Sequence, residues 1–108
     1  MAITNVEQRE IVEIPFTMPD GSILPHPALV ISRNELQVDE DGMFYAVLIS
    51  TKNYHPEYTI RIEDEWLNKP MGRLSYFITH LVNMFNVDDV IRRNNAFIKK
   101  RYFERVID

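Results

Sequence analysis

Three histidines, His26, His55 and His80, are the side chains of this 108-residue chain best suited to exchange protons near neutral pH. No two of them are spaced as HxH or HxxxH, the pairs that put two imidazoles on one metal. Their scatter favours surface or structural roles over metal ligation. The acidic clusters Asp39-Glu40-Asp41 and Glu63-Asp64-Glu65 lack the alternating oxygen ligands of a calcium loop and read as solvated loops. No serine sits in a GxSxG elbow. Three glycines in all cannot build a dinucleotide or Walker phosphate loop. The absence of cysteine excludes disulfides, thiolate zinc sites and a cysteine nucleophile.

The chemistry left to the chain must come from side chains set in place by its strands and turns. At 45% hydrophobic and 26% charged residues, the composition is that of a soluble globular domain. The length fits one domain over 1–108, with one hydrophobic core rather than two. The longest apolar run, residues 44–49, has six residues, so nothing here spans a membrane. The N-terminal sequence MAITNVEQRE has no hydrophobic signal stretch, and the expected location is cytoplasmic. A formal charge of −4 does not suggest a nucleic-acid binder, whose usual footprint is basic.

Residues 1–9 read as a polar arm. Ile11, Val12, Ile14 and Phe16 form a β-prone run, and Pro15 within it predicts an edge or a bulge. Pro19-Asp20-Gly21 is a turn. The continuous apolar stretches 27–32 and 44–50 predict buried strands, separated by an acidic loop over 38–42. Residues 51–56, with Tyr54 and His55, form a loop. Tyr58, Ile60 and Ile62 alternate with polar neighbours as in a half-buried strand. Lys69-Pro70-Met71-Gly72 is a further turn. Over 73–86, Phe77, Ile78, Leu81, Val82 and Phe85 fit a helical stripe, while the β-branched and aromatic content fits a strand equally well. Asn94 or Asn95 is placed to cap an amphipathic helix over about 96–107, with Ile98, Tyr102 and Val106 on one face. The residues alone therefore predict a mainly β protein of five or so strands with one C-terminal helix.

The order of the segments carries more. Ile11-Val12-Glu13-Ile14-Pro15-Phe16, then Asp20-Gly21, then Leu24-Pro25-His26-Pro27-Ala28-Leu29-Val30-Ile31-Ser32 resembles the MazF/PemK family of toxin–antitoxin toxins. Leu48-Ile49-Ser50-Thr51 is similar to that family's ITS/ITT strand end. Ser75-Tyr76 with Thr79-His80 is similar to its SYVRTH block, and Met84-Phe85-Asn86 stands where it has TLD. The resemblance spans about 9–107. It implies a small SH3-like β-barrel with a C-terminal helix, usually a homodimer, and a strand over 73–86. It also implies a metal-independent endoribonuclease acting on single-stranded RNA without a cofactor, restrained by an antitoxin protein that blocks the RNA groove.

The chain departs from the family at charged positions. His26 replaces the arginine before PA, Ile78 replaces the SYVR arginine, and Leu81 stands where Gln or Lys usually follows. RNA cleavage by the neighbouring 2′-hydroxyl needs a base, an acid for the leaving oxygen, and positive charge at the phosphorane. Arginine supplies permanent charge, whereas histidine is the better proton carrier. The resemblance therefore assigns His26 and His80 as the acid–base pair, with Ser50 and Thr51 holding a phosphate oxygen. Lys52, Arg61 and Arg73 are candidate phosphate contacts, and Tyr54 or Tyr76 is a candidate for stacking on an unpaired base. Two rivals follow from the same residues. One is a catalytically silent or target-binding homologue on this scaffold, as in the gyrase-poisoning CcdB toxins. The other is a plain protein-interaction domain.

Overall fold

Residues 28–30 and 44–49, the most apolar parts of the chain, lie side by side in the middle of one six-stranded antiparallel sheet. The computed structural model describes residues 5–18, 20–52 and 57–107. The elements in order are β1 (Glu10–Thr17), β2 (Ile23–Val30), α1 (Asn34–Asp39), β3 (Met43–Ser50), β4 (Thr59–Arg61), β5 (Tyr76–Asn86), β6 (Arg92–Phe97) and α2 (Lys100–Ile107). Short 3-10 turns sit at Asp64–Trp66 and Val87–Asp89. The strand order is β4-β5-β3-β2-β1-β6. No ladder among the described residues joins β4 to β6. A lone bridge, Leu67–Ile98, ties the segments that follow these two edge strands. The mainly β expectation with a C-terminal helix is met, as a curled sheet whose ladders leave two edges.

Both faces of the sheet are buried, which is why β2 and β3 read as continuous apolar runs rather than alternating ones. On the inner face Val12, Ile14, Ala28, Val30, Phe44, Ala46, Leu48, Ile78 and Phe85 pack together. On the outer face Ile11, Leu29, Val47, Ile49, Phe77 and Ile98 pack under Trp66 and under Phe103 and Val106 of α2. The chain thus supports two buried clusters where its length suggested one, because a single sheet serves as the wall of both. Trp66 stacks on Tyr102 at 5.4 Å, and the Arg101 guanidinium lies 4.7 Å from the Tyr102 ring centre.

Three local outcomes differ from the sequence expectation. Residues 73–86 give a strand from Tyr76, and the helical stripe has a concrete cause. The β3–β5 register slips between Val47↔Val82 and Leu48↔Ile78, so 79–81 bulge out of the ladder. The bulge moves the inward positions to Ile78, Leu81 and Phe85, a spacing that mimics a helix. The terminal helix starts at Lys100 rather than near 96. Asn94 and Asn95 do not cap it; they lie in β6, and Asn95 has a positive φ of 57°. Pro15 is not on an edge strand, since β1 pairs with both β2 and β6. However, β6 reaches only Glu13, so the proline removes no bond to β6; the irregularity in this ladder is on β6, where Asn94 and Asn95 stand as extra residues between the Ile11↔Ala96 and Val12↔Arg93 pairs.

The polar strand β6 is held by charge. Arg93 donates to both carboxylate oxygens of Glu10 at 2.6 and 2.9 Å, and Arg92 donates to Glu13 at 2.8 Å. Glu10 is buried, and its hydrogen bonds hold the Arg93 guanidinium above its ordinary pKa. In the N-terminal arm, Val6 is buried in the inner cluster. Its N–H donates to the Gln37 carboxamide oxygen at 2.8 Å, and its carbonyl accepts from Gln37 Nε2 at 2.6 Å. No helix among the described residues is long and apolar enough to cross a membrane.

Candidate functional site

The ladder registers set the candidate residues in a row. His26 of β2 lies opposite Ile14 of β1. The β2–β3 ladder ends at Ala28↔Leu48, and His26 and Ser50 each lie two residues beyond that pair on their own strands. Ser50 is paired with Tyr76 of β5, and Tyr76 with Arg61 of β4. Ser50, Tyr76 and Arg61, far apart in the chain, thus lie in one line across β3, β5 and β4. Strand pairing does this because antiparallel partners keep a constant sum of residue numbers, broken only at bulges.

A cleft of about 260 Å³ opens at this end of the sheet, lined by His26, Pro27, Ile49, Ser50, Thr51, Met71, Arg73 and Ser75. Three of the four residues expected to act on substrate, His26, Ser50 and Thr51, are there with the candidate phosphate contact Arg73. His26 is half-buried, Thr51 exposed and Ser50 buried. The Ser50 hydroxyl oxygen accepts the Lys52 N–H at 3.2 Å, which fixes the strand end and holds Lys52 beside the cleft. Arg73 enters from the 69–73 turn. Gly72 has a positive φ of 82° there, a conformation glycine adopts without strain. Buried Ser75 donates to the Arg73 carbonyl at 3.2 Å, and the Ser75 carbonyl accepts the Ile62 N–H at 2.9 Å, so the turn's exit is pinned to the sheet. None of the lining residues is acidic. The cleft combines a proton carrier, three hydroxyl residues and a permanent cation, which suits an anionic substrate.

The remaining candidates lie elsewhere. His80 is exposed on the β5 bulge, with its ring 5.5 Å from that of Tyr58, and it does not line the cleft. Arg61 sits 3.6 Å from Glu63 at the surface. It borders an adjoining cleft of about 520 Å³ that Arg73 shares with Glu63, Asp64 and Glu65. Tyr76 is half-buried and packs on the inner cluster. Tyr54 and His55 lie outside the described residues. Ile78 is fully buried and Leu81 packs on the same cluster, so the two positions where the resemblance has charged or polar groups are core in this chain. Met71 and Ser75 line the cleft without having been singled out. Only the serine carried a signal, as the first residue of the Ser75-Tyr76 block.

No protein-family model and no curated protein matches the sequence. Solved structures do match. A MazF from Deinococcus radiodurans, 12% identical, superposes with a TM-score of 0.74 over 95% of this chain and 90% of its own. An endoribonuclease from Mycobacterial species, solved in complex with its cognate antitoxin, is 10% identical with a TM-score of 0.72 over 94% of this chain and 87% of its own. A MazE–MazF structure from Deinococcus radiodurans is 13% identical with a TM-score of 0.68, over 94% and 88%. The chain therefore has a MazF-like fold.

Proposed function

We propose that this chain is the toxin of a toxin–antitoxin pair and cleaves single-stranded RNA without a metal or other cofactor. The observation that carries the reading is the joining of His26, Ser50, Thr51 and Arg73 in one cleft on a MazF-like fold. In the proposed step His26 takes the proton of the 2′-hydroxyl. The 2′-oxygen then forms a bond to phosphorus as the bond to the 5′-oxygen breaks, and that oxygen takes a proton from solvent. The products are a 2′,3′-cyclic phosphate and a 5′-hydroxyl end. Ser50 and Thr51 hold a phosphate oxygen, and Arg73 offsets the charge that develops on the phosphorane, with Lys52, next to Thr51 in the chain, as a further phosphate contact. His80, seated against Tyr58, takes no part in this step, which leaves His26 as the proton acceptor. The protein works as a cytoplasmic homodimer with the sheet acting as an SH3-like barrel, and an acidic antitoxin covers the cleft. Support for the antitoxin comes from the structural relatives solved with one.

The test is incubation of purified protein with mixed single-stranded RNA, with and without EDTA. Cleavage is expected to survive EDTA and to leave cyclic phosphate ends, and His26→Ala is expected to lower the rate by about 10²-fold or more. Unchanged activity in His26→Ala refutes the role given to this residue. A second reading, a target-binding toxin without nuclease activity, is favoured by the burial of Ile78 and Leu81 in the core, which thins the charge around the cleft. Growth arrest on expression with no RNA cleavage would support it.

A further inference from the structure

The formal charge of −4 hides a division along the chain. Residues 1–68 carry 4 Lys or Arg against 12 Asp or Glu, whereas residues 69–108 carry 8 against 4. Part of the basic share lines a second pocket. A cavity of about 310 Å³ lies between Lys69–Met71 and the β6 residues Arg92, Arg93, Asn94 and Asn95. No acidic residue lines it, and its size falls at the lower end of ligand sites, roughly 300–1,000 Å³.

This pocket is built rather than incidental. Asn68 clamps its two walls together: its carboxamide oxygen accepts the Phe97 N–H at 2.7 Å, and its Nδ2 donates to the Asn95 carbonyl at 3.4 Å. Asn95 holds a left-handed backbone at the β6 bulge opposite Ile11 and Val12, which lifts Asn94 and Asn95 out of the ladder with β1. The pocket neighbours the His26 cleft, since Met71 lines both. The cleft alone, at about 260 Å³, is too small to hold more than a fraction of a polynucleotide.

We infer that the pocket between the 69–71 turn and β6 is a second nucleotide subsite for the RNA strand that crosses the cleft. The inference rests on the endoribonuclease reading. The chemistry of the pocket divides as nucleotide recognition requires. Lys69 meets the phosphate, while Arg92 and Arg93, paired with Glu13 and Glu10, form the wall beside it. The carboxamides of Asn94 and Asn95 each offer a donor and an acceptor to the edge of an unstacked base. Backbone contacts add affinity, and carboxamide contacts add sequence preference at a nucleotide next to the cut.

The experiment uses 2′-O-methylated single-stranded RNA of about ten nucleotides and random sequence, which lacks the attacking hydroxyl and is not cut. Binding is read by fluorescence anisotropy over a series of salt concentrations. The double variant Lys69→Ala/Asn94→Ala is expected to bind about ten-fold more weakly, with a salt slope shallower by about 0.7–1. Lys100→Ala, a neutralised cation on α2 outside the pocket, is expected to stay within about two-fold of the parent. Sequencing of cleaved RNA ends supplies a second readout, in which Asn94→Ala broadens the base preference at one position beside the cut. If the parent binds RNA and cuts it but the double variant behaves like Lys100→Ala, the subsite is overturned and the nuclease reading stands. If the parent neither binds nor cuts RNA, both fall together.

Discussion

Removing the Arg93 side chain should cost more stability than any ordinary surface charge in this protein. The Glu10 carboxylate it serves has a side chain only 2% exposed. Three donors satisfy it: Arg93 Nε at 2.6 Å, Arg93 Nη2 at 2.9 Å and the Glu7 N–H at 3.0 Å. Arg93→Ala leaves a buried carboxylate with the single amide. Breaking a buried ion pair from one side costs about 3–5 kcal/mol. The Arg93 side chain is 34% exposed, so water reaches part of the vacated space and the figure must be reduced to about 2–3 kcal/mol. A chain of this length has about 5–15 kcal/mol of stability in all, so the loss corresponds to roughly 10–20 °C in Tm. Urea denaturation monitored by circular dichroism measures it. Replacing both partners, as in Glu10→Met/Arg93→Met, should cost much less than the two single changes added together, because no charge is left unpaired. High salt should barely alter the Arg93→Ala deficit, since a buried pair is little screened. A deficit below about 0.5 kcal/mol, or additive single and double changes, would mean that the pair acts as an exposed one and that β6 is held by something else.

Gln37→Ala should cost about 2–4 kcal/mol in the same assay, because it strands the buried N–H and carbonyl of Val6 at once; a change under about 0.5 kcal/mol would show that this anchor does nothing. Asp20 is exposed at the β1–β2 turn, where hydrogen bonds from the Ser22 hydroxyl and N–H hold its carboxyl below the usual carboxylate value. Its contribution is therefore present above the unfolded-state value of about 3.9 and lost as the pH falls through the folded one. Asp20→Asn should lower Tm slightly at pH 7 and lose that difference in strong acid, and a constant difference across the range would count against it. Arg73→Ala should lower kcat for RNA cleavage by about 10²-fold with a smaller change in KM, as expected for charge that acts on the phosphorane. A pure KM effect would make Arg73 a binding residue only.

How much of this was legible beforehand depended on whether apolar packing or something else shapes each segment. β2 and β3 announce themselves because both faces are buried, and every residue of the run must be apolar. β5 contains the right residues in a misleading order, since its bulge at 79–81 converts a period of two into a false period near four. β6 has no hydrophobic pattern to read; its ladder with β1 is reinforced by ion pairs to Glu10 and Glu13, more than 75 positions earlier in the chain. The six-residue α1 is too short for periodicity, and its buried Gln37 looks like any polar loop residue. The same division runs through the site. His26, Ser50 and Thr51 were identified through segment order, and the ladder explains why they meet. Their meeting with Arg73 depends on a turn whose course no local pattern encodes.

The charge balance changes meaning once the fold is known. A net −4 repels a polyanion at long range, yet beyond about 8–10 Å that repulsion is screened at physiological salt. On the nuclease reading proposed above, what an RNA strand would meet at contact is the local set. The three acidic residues Asp39, Glu40 and Asp41 are exposed at the end of α1 and in the turn after it, away from the cleft lining. Glu10 and Glu13 are committed to Arg93 and Arg92. Neither the His26 cleft nor the Lys69 pocket has an acidic wall. Burial of Ile78 and Leu81 removes two places where the resemblance would put polar or cationic groups, and the second half of the chain supplies cations at different ones, Arg73 and Lys69. The acidic share nearest the site is Glu63, Asp64 and Glu65, which line the adjoining cleft that Arg73 also borders, so Arg73 stands between an acidic wall and the acid-free lining around His26.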